Sequence, residues 1–117
     1  VDRERFLAEV LLPLRRGEKV FYRRFDCASM QLQNAVETAP KKLVVAKGAY
    51  SMHPDLAPYY DLSVFLDISP ELQRDRISRR NTPEKAKRFF AEWIPMEQAY
   101  FAAFDIPAKC TLRLPIL

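Results

Sequence analysis

Glycine is nearly missing from this chain of 117 residues: Gly17 and Gly48 are the only two, against nine prolines. Two isolated glycines cannot build the glycine-rich loop whose backbone N–H groups cradle phosphate, and no G-x-x-x-x-G-K-[ST] segment occurs. Cysteine is also scarce. Cys27 and Cys110 lack the paired spacing of metal ligands, and the expectation is that both stay reduced in a cytoplasmic protein. The single histidine, His53, sits beside Pro54 in a loop and is read as structural or exposed rather than catalytic. No apolar run is long enough to span a membrane and no signal-peptide pattern is present, so no membrane partner is expected. No Lys/Arg block exceeds two residues. The net charge of +4 therefore suits an anionic ligand without reaching the signature of a nucleic-acid binder.

What is present is ordinary for a globular chain, with 49% hydrophobic and 29% charged residues, and the length predicts one domain over 1–117. Its organising stretch is LSVFLDISPELQRDRISRR at 62–80. Residues 62–68 are apolar apart from Ser63 and Asp67, which predicts a strand buried on both faces. Ser69, Pro70 and Glu71 then start a helix. Ser69 caps free N–H groups, Pro70 fits the first helical position, and Glu71 faces the positive end of the helix dipole. That helix carries Arg74, Arg76, Arg79 and Arg80 against Asp75, with only Leu72 and Ile77 as core-facing positions. Such a face is either solvated surface or a basic lid that reaches a phosphate.

Before this stretch, apolar spacing at Phe6, Leu7, Val10, Leu11 and Leu14 predicts a helix over 2–14, capped by Asp2 and ended by Arg15, Arg16 and Gly17. KVFYRRFD at 19–26 reads as a short strand or an extended loop, and 27–40 as an irregular loop. KLVVA at 42–46 reads as a second short buried strand, with Gly48 in the turn behind it. After it, Thr82-Pro83-Glu84 repeats the helix-start device. A helix over 83–104 follows, with a core stripe of Phe89, Phe90, Trp93, Met96, Tyr100 and Phe104 and a bend at Pro95. Thr111 to Leu114 reads as a last strand ended by Pro115. Strands at 43–46, 62–67 and 111–114 between helical or loop segments point to a parallel α/β sheet.

Taken together, KLVVAKGAY, YYDLSVFLDISPELQRDRISRR and FFAEWIPMEQAYF resemble the uridine kinase-like branch of the P-loop nucleoside kinases. The internal proline of the long helix belongs to that resemblance. It implies a three-layer P-loop NTPase fold, of which this chain is the carboxyl-terminal part and whose sheet is incomplete on its amino-terminal side. It also implies transfer of the ATP γ-phosphoryl group to the hydroxyl of a nucleoside or similar small molecule, with ATP and Mg²⁺. By position, Arg74 and Arg79 match lid arginines that close over the phosphates, with Arg80 as a nearby reserve. Tyr22, Arg24 and Asp26 match the segment that contacts the phosphate acceptor.

The chain departs from that pattern in two respects. The phosphate loop and the segment bearing the catalytic aspartate are absent and are expected upstream of Val1, so no catalytic residue is assigned here. Lys47 occupies a position where the resemblance leads one to expect an acid that helps hold Mg²⁺, so no metal ligand is assigned either. A polypeptide of these residues alone is accordingly expected to be an incompetent kinase. The alternative is a non-catalytic module that binds anions or a protein partner through the Arg74–Arg80 face. The expected sheet order 2-3-1-4-5 leaves 43–46 and 62–67 flanking a missing neighbour. Direct pairing of the two, or a homodimer, would satisfy their backbone groups.

Overall fold

A computed structural model describes residues 2–117, which divide into two units at 60/61. In the first, Asp2 caps a helix over 3–15 (α1) by accepting a hydrogen bond from the Arg5 N–H at 3.0 Å. The helix is α-helical at Arg3–Phe6 and Leu12–Arg15, with a wider π turn at Leu7–Leu11 between them. Pro13 explains that turn. In a plain α-helix its ring would strike the carbonyl four residues back, and an extra residue in the turn moves that carbonyl aside. Gly17, at a φ of 68°, takes the left-handed conformation that ends the helix.

Strand β1 (Val20–Asp26) pairs antiparallel with β2 (Gln31–Thr38). The 19–26 segment is thus a strand, whereas 27–40 is no irregular loop: it contains a hairpin turn and a full strand. The reversal is written in Asp26, whose carboxylate accepts from the Ala28 N–H at 2.9 Å and the Ser29 hydroxyl at 2.8 Å. Met30, at a φ of 57°, completes the turn. Almost every β2 side chain is exposed, so no apolar alternation marks the strand. Its stability comes from the ladder, which propensity does not report.

KLVVA is the plainest departure. No ladder forms over 42–46, and Leu43 and Val45 are 79% and 78% exposed. β-branched residues become a buried strand only when a neighbour takes their N–H and C=O groups, and none does so among the described residues. Gly48 does sit in a turn, its carbonyl accepting from the Ser51 N–H and hydroxyl. Beyond it, Arg3 Nε donates to Asp55 at 2.7 Å, tying the loop to α1, and a single 3₁₀ turn occupies Ala57–Tyr59. Leu56 is the most deeply buried side chain here.

In the second unit β3 (Val64–Ile68) pairs in parallel with β4 (Leu112–Ile116). Ser63 and Thr111 open the ladder. Each backbone N–H donates to the other residue's hydroxyl, at 3.1 and 2.9 Å, and the Leu112 N–H donates to the Ser63 carbonyl at 3.0 Å. Pro115 lies inside β4 rather than ending it, tolerable because β4 is an edge strand. Helix α2 (Pro70–Arg80) follows β3. A second helix over 83–104 (α3) runs through Pro83–Arg88, a π turn at Phe89–Trp93 and Ile94–Phe104. Pro95 stands two residues past its π turn, as Pro13 does. A short helix, α4 (Ile106–Lys109), begins after the left-handed Asp105.

The double burial expected of 62–68 is not found. Phe65 meets the Phe101 ring edge-on at 5.2 Å, but Val64 and Leu66 on the opposite face are largely exposed. The register puts them beside Leu112 and Leu114, also exposed. In α3 the stripe is likewise incomplete, since Met96 and Phe104 are exposed. The architecture among described residues is mixed α/β, with one two-stranded antiparallel ribbon and one two-stranded parallel sheet.

Candidate functional site

The arginines of α2 are placed by its start. Ser69 accepts from the Leu72 N–H at 3.2 Å, Pro70 occupies the first turn, and Ile77 is the one buried anchor. Leu72 and Gln73 are half-buried, and all four arginines are exposed. The three candidate lid residues have different partners. Arg74 lays its guanidinium carbon 4.2 Å from the centre of the Phe90 ring. Arg79 donates from Nε to Asp75 at 3.0 Å, one helical turn back. Arg80 stands 5.9 Å from the Phe89 ring. Arg74 also lines an open groove of about 650 Å³ between α2 and the start of α3, together with Ser78, Asn81, Lys87 and Phe90. Arg79 and Arg80 do not line it. Phe90, read from sequence as core, is half-buried and serves as the platform under Arg74; Lys87 was overlooked. The signal for both was their spacing, three residues apart on one face of α3.

The candidate acceptor residues lie on β1. Tyr22 is half-buried and lines a groove of about 570 Å³ with Phe6, Val10 and Val20. Arg24 is exposed at an irregularity in the ladder: between Arg23↔Ala35 and Phe25↔Leu32 it alone opposes two residues, Gln33 and Asn34. Asp26 is engaged in the hairpin turn, and the Ser29 hydroxyl, followed by the Ala28 N–H, holds its carboxyl below the usual range. Neither Arg24 nor Asp26 lines the Tyr22 groove, so the three are not brought to one cavity.

Arg23 is the better-anchored arginine of the pair. Its Nε donates to the Gln33 carbonyl at 2.8 Å, across the ladder. On the outer edge of β1, its backbone N–H donates to Glu9 at 3.2 Å, and its carbonyl accepts from Arg5 at 2.9 Å. Arg5 and Glu9 are themselves paired at 3.0 Å, and this bond, with the Arg23 N–H second, lowers the Glu9 pKa. Two side chains of α1 thus supply both hydrogen bonds that a neighbouring strand would have given to Arg23.

Lys47 is exposed at the end of the unpaired KLVVA segment. Among the described residues no group of three His, Cys, Asp or Glu side chains could hold a metal ion. The residues present therefore do not form a protein cage for Mg²⁺, which commonly arrives with several waters and a phosphate ligand. No helix among the described residues is long and apolar enough to cross a membrane.

Comparison with known proteins adds the decisive observation. The chain is similar to a thymidylate kinase. It is 37% identical over 92 residues to that protein of Methylobacillus flagellatus, a stretch covering 78% of this chain and 44% of the relative. The chain thus spans less than half of that relative's length. No family model matches. The similarity lies with a nucleotide kinase in general and gives no support to uridine in particular.

Proposed function

We propose that these 117 residues form the carboxyl-terminal part of a P-loop nucleotide kinase, which moves the γ-phosphoryl group of ATP to a small acceptor. The similarity to thymidylate kinase over 92 residues carries the reading. The capped arginine helix directly behind a parallel strand supports it, because phosphoryl transfer is chiefly positioning and charge neutralisation. In this reading Arg74, Arg79 and Arg80 serve the phosphates, and Tyr22, Arg24 and Asp26 serve the acceptor. The relative's name makes thymidylate the first acceptor to test and uridine the second. Mg²⁺ enters with the nucleotide, the protein works in the cytoplasm, and Lys47 adds a cation where an acid was expected.

The test is a titration of the purified chain, followed by NMR amide shifts, with ATP, thymidylate, uridine and tripolyphosphate at two salt concentrations. A preference for nucleotides over tripolyphosphate that survives the higher salt is the expected result. Equal binding of all polyanions, lost steeply with salt, would replace the kinase reading with that of an anion-binding module.

A further inference from the structure

His53 is the single histidine, and the fold sets it where a change of charge is felt. Its carbonyl accepts from the Leu56 and Ala57 N–H groups at 2.8 and 2.9 Å, so it begins the turn that carries the deeply buried Leu56. Its ring closes the same turn, Nδ1 accepting from the Asp55 N–H at 3.1 Å. A ring that does this carries its proton on Nε2; the doubly protonated ring has two donors and no acceptor. The charged groups around it are Asp55, whose Oδ2 lies 3.7 Å from Nδ1, and Arg3 of α1, which donates to the same Oδ2 at 2.7 Å. The charge of Glu4 acts on Arg3 in turn. Chiefly the Arg3 bond, with help from the charge of His53, holds the Asp55 carboxyl below the usual range, so it stays an anion where histidines titrate. The His53 side chain is 21% exposed, and solvent protons reach it.

The Arg3–Asp55 bond also has a structural task. Residues 39–47 leave β2 at Thr38, which pairs with Val20, and 42–46 form no ladder of their own. Ala39, Lys41, Leu43, Val44 and Val45 line the Tyr22 groove together with side chains of α1. This strap is held at its start by the β1–β2 ladder and at its end by the loop that Arg3 ties to α1.

We propose that His53 is a proton-sensitive latch for this strap. In the neutral ring, Nδ1 holds the Asp55 N–H and leaves the Asp55 carboxylate to Arg3. A proton taken from solvent onto Nδ1 sets two donors face to face, so the Asp55 N–H loses its acceptor and the imidazolium turns to the carboxylate. There it shares the anion with Arg3 and repels it, like charge against like. The tie between loop and α1 weakens, and the strap along the groove loosens. The latch does not depend on what the groove binds, so its failure would leave the kinase reading untouched.

NMR of the 117-residue chain between about pH 8 and about pH 5.5, where histidines change charge, tests it. The imidazole nitrogen shifts of the neutral form should place the proton on Nε2. As the ring titrates, the protection of the Asp55 amide, measured against the intrinsic rate at the same pH, should fall by about five-fold, the loss of one ordinary hydrogen bond. Backbone amide relaxation at 41–47 should report more motion over the same titration. His53→Asn separates charge from shape. The asparagine oxygen stands where Nδ1 stands and accepts from the N–H two residues on, and it takes no proton. That variant should hold both readouts constant with pH. Arg3→Ala cuts the tie directly and should free 41–47 at every pH. If His53→Asn disturbs the spectrum beyond its own loop, the wild-type titration decides alone, because ring, amide and strap must share one midpoint. A neutral ring with its proton on Nδ1, an Asp55 amide or a strap unchanged while the ring titrates, or an acid response that persists in His53→Asn overturns the latch.

Discussion

β1 and β3 both begin with a valine and both belong to two-stranded ladders, yet Val20 is 3% exposed and Val64 is 41% exposed. The difference lies in what each ladder has beside it. Val20 shares a groove wall with Val10 and Leu14 of α1, and the outer edge of its strand is closed at Arg23 by Arg5 and Glu9. β3 has Phe101 against Phe65 on one face and leaves Val64 and Leu66 largely exposed on the other. Residue type is the same; the cover differs. Burial of a strand is a property of its neighbours, and a helix one turn away in sequence can provide in side chains what a strand provides in backbone.

The largest effect expected from this comparison is at Val20. Val20→Ala should cost about 2 kcal/mol, from the lost methyl burial and the space left behind, read as a shift of the urea midpoint at constant slope. A loss below half of that would mean the groove closes over the gap. In the second unit Ser69 caps the helix behind β3, and Ser69→Ala should cost about 1 kcal/mol. Thr82→Ala, whose hydroxyl stands 3.4 Å from the Lys85 N–H rather than 3.2 Å, should cost less. The reverse order would show that cap distance is a poor guide to these two helices.

Glu9→Gln should act locally, by speeding hydrogen exchange of the Arg23 amide relative to Phe21 and Phe25 in the same strand. The sign with pH follows from the lowered Glu9 pKa, caused first by Arg5. The contribution is present above the ordinary glutamate value and is lost as pH falls through the folded-state value. Acidification should therefore lower the protection of the Arg23 amide, its exchange measured against the intrinsic rate at the same pH, in the native protein and much less in Glu9→Gln. The smallest effect belongs to Leu66→Lys. At 59% exposure it should stay within about 0.5 kcal/mol of the wild type. A larger loss would show that the open face is covered in solution, and would erase the contrast between the ladders.

The three longer helices were legible in the sequence because their signals are local, whereas the short α4 was not. Asp2, Ser69 and Thr82 each cap the helix whose start they announce, and each accepts from the N–H three residues on. β3 and β4 were legible as strands, though not their exposure. β2 was not, since its side chains are almost all solvated and its existence depends on a turn nucleated by Asp26. KLVVA failed in the opposite direction: strong propensity, no ladder. At the candidate site, the arginine helix was visible in the sequence. The sorting of Arg74 onto Phe90 and Arg79 onto Asp75 was not, because the first partner lies sixteen residues away on another helix.

The π turns have a consequence for how this sequence is to be aligned and redesigned. A π turn behaves as a one-residue insertion in a helix, and each residue of an α-helix advances by about 100°. Everything after Trp93 is therefore out of phase with everything before Phe89 on a simple helical wheel. The aromatic stripe from Phe89 to Phe104 is two shorter stripes joined at an offset: Phe89 and Trp93 meet edge-on at 4.5 Å, while Met96 and Phe104 reach solvent. The same arithmetic holds at Leu7–Leu11 in α1. A relative lacking Pro13 or Pro95 would need one residue fewer in the corresponding turn to keep the same side chains facing inward.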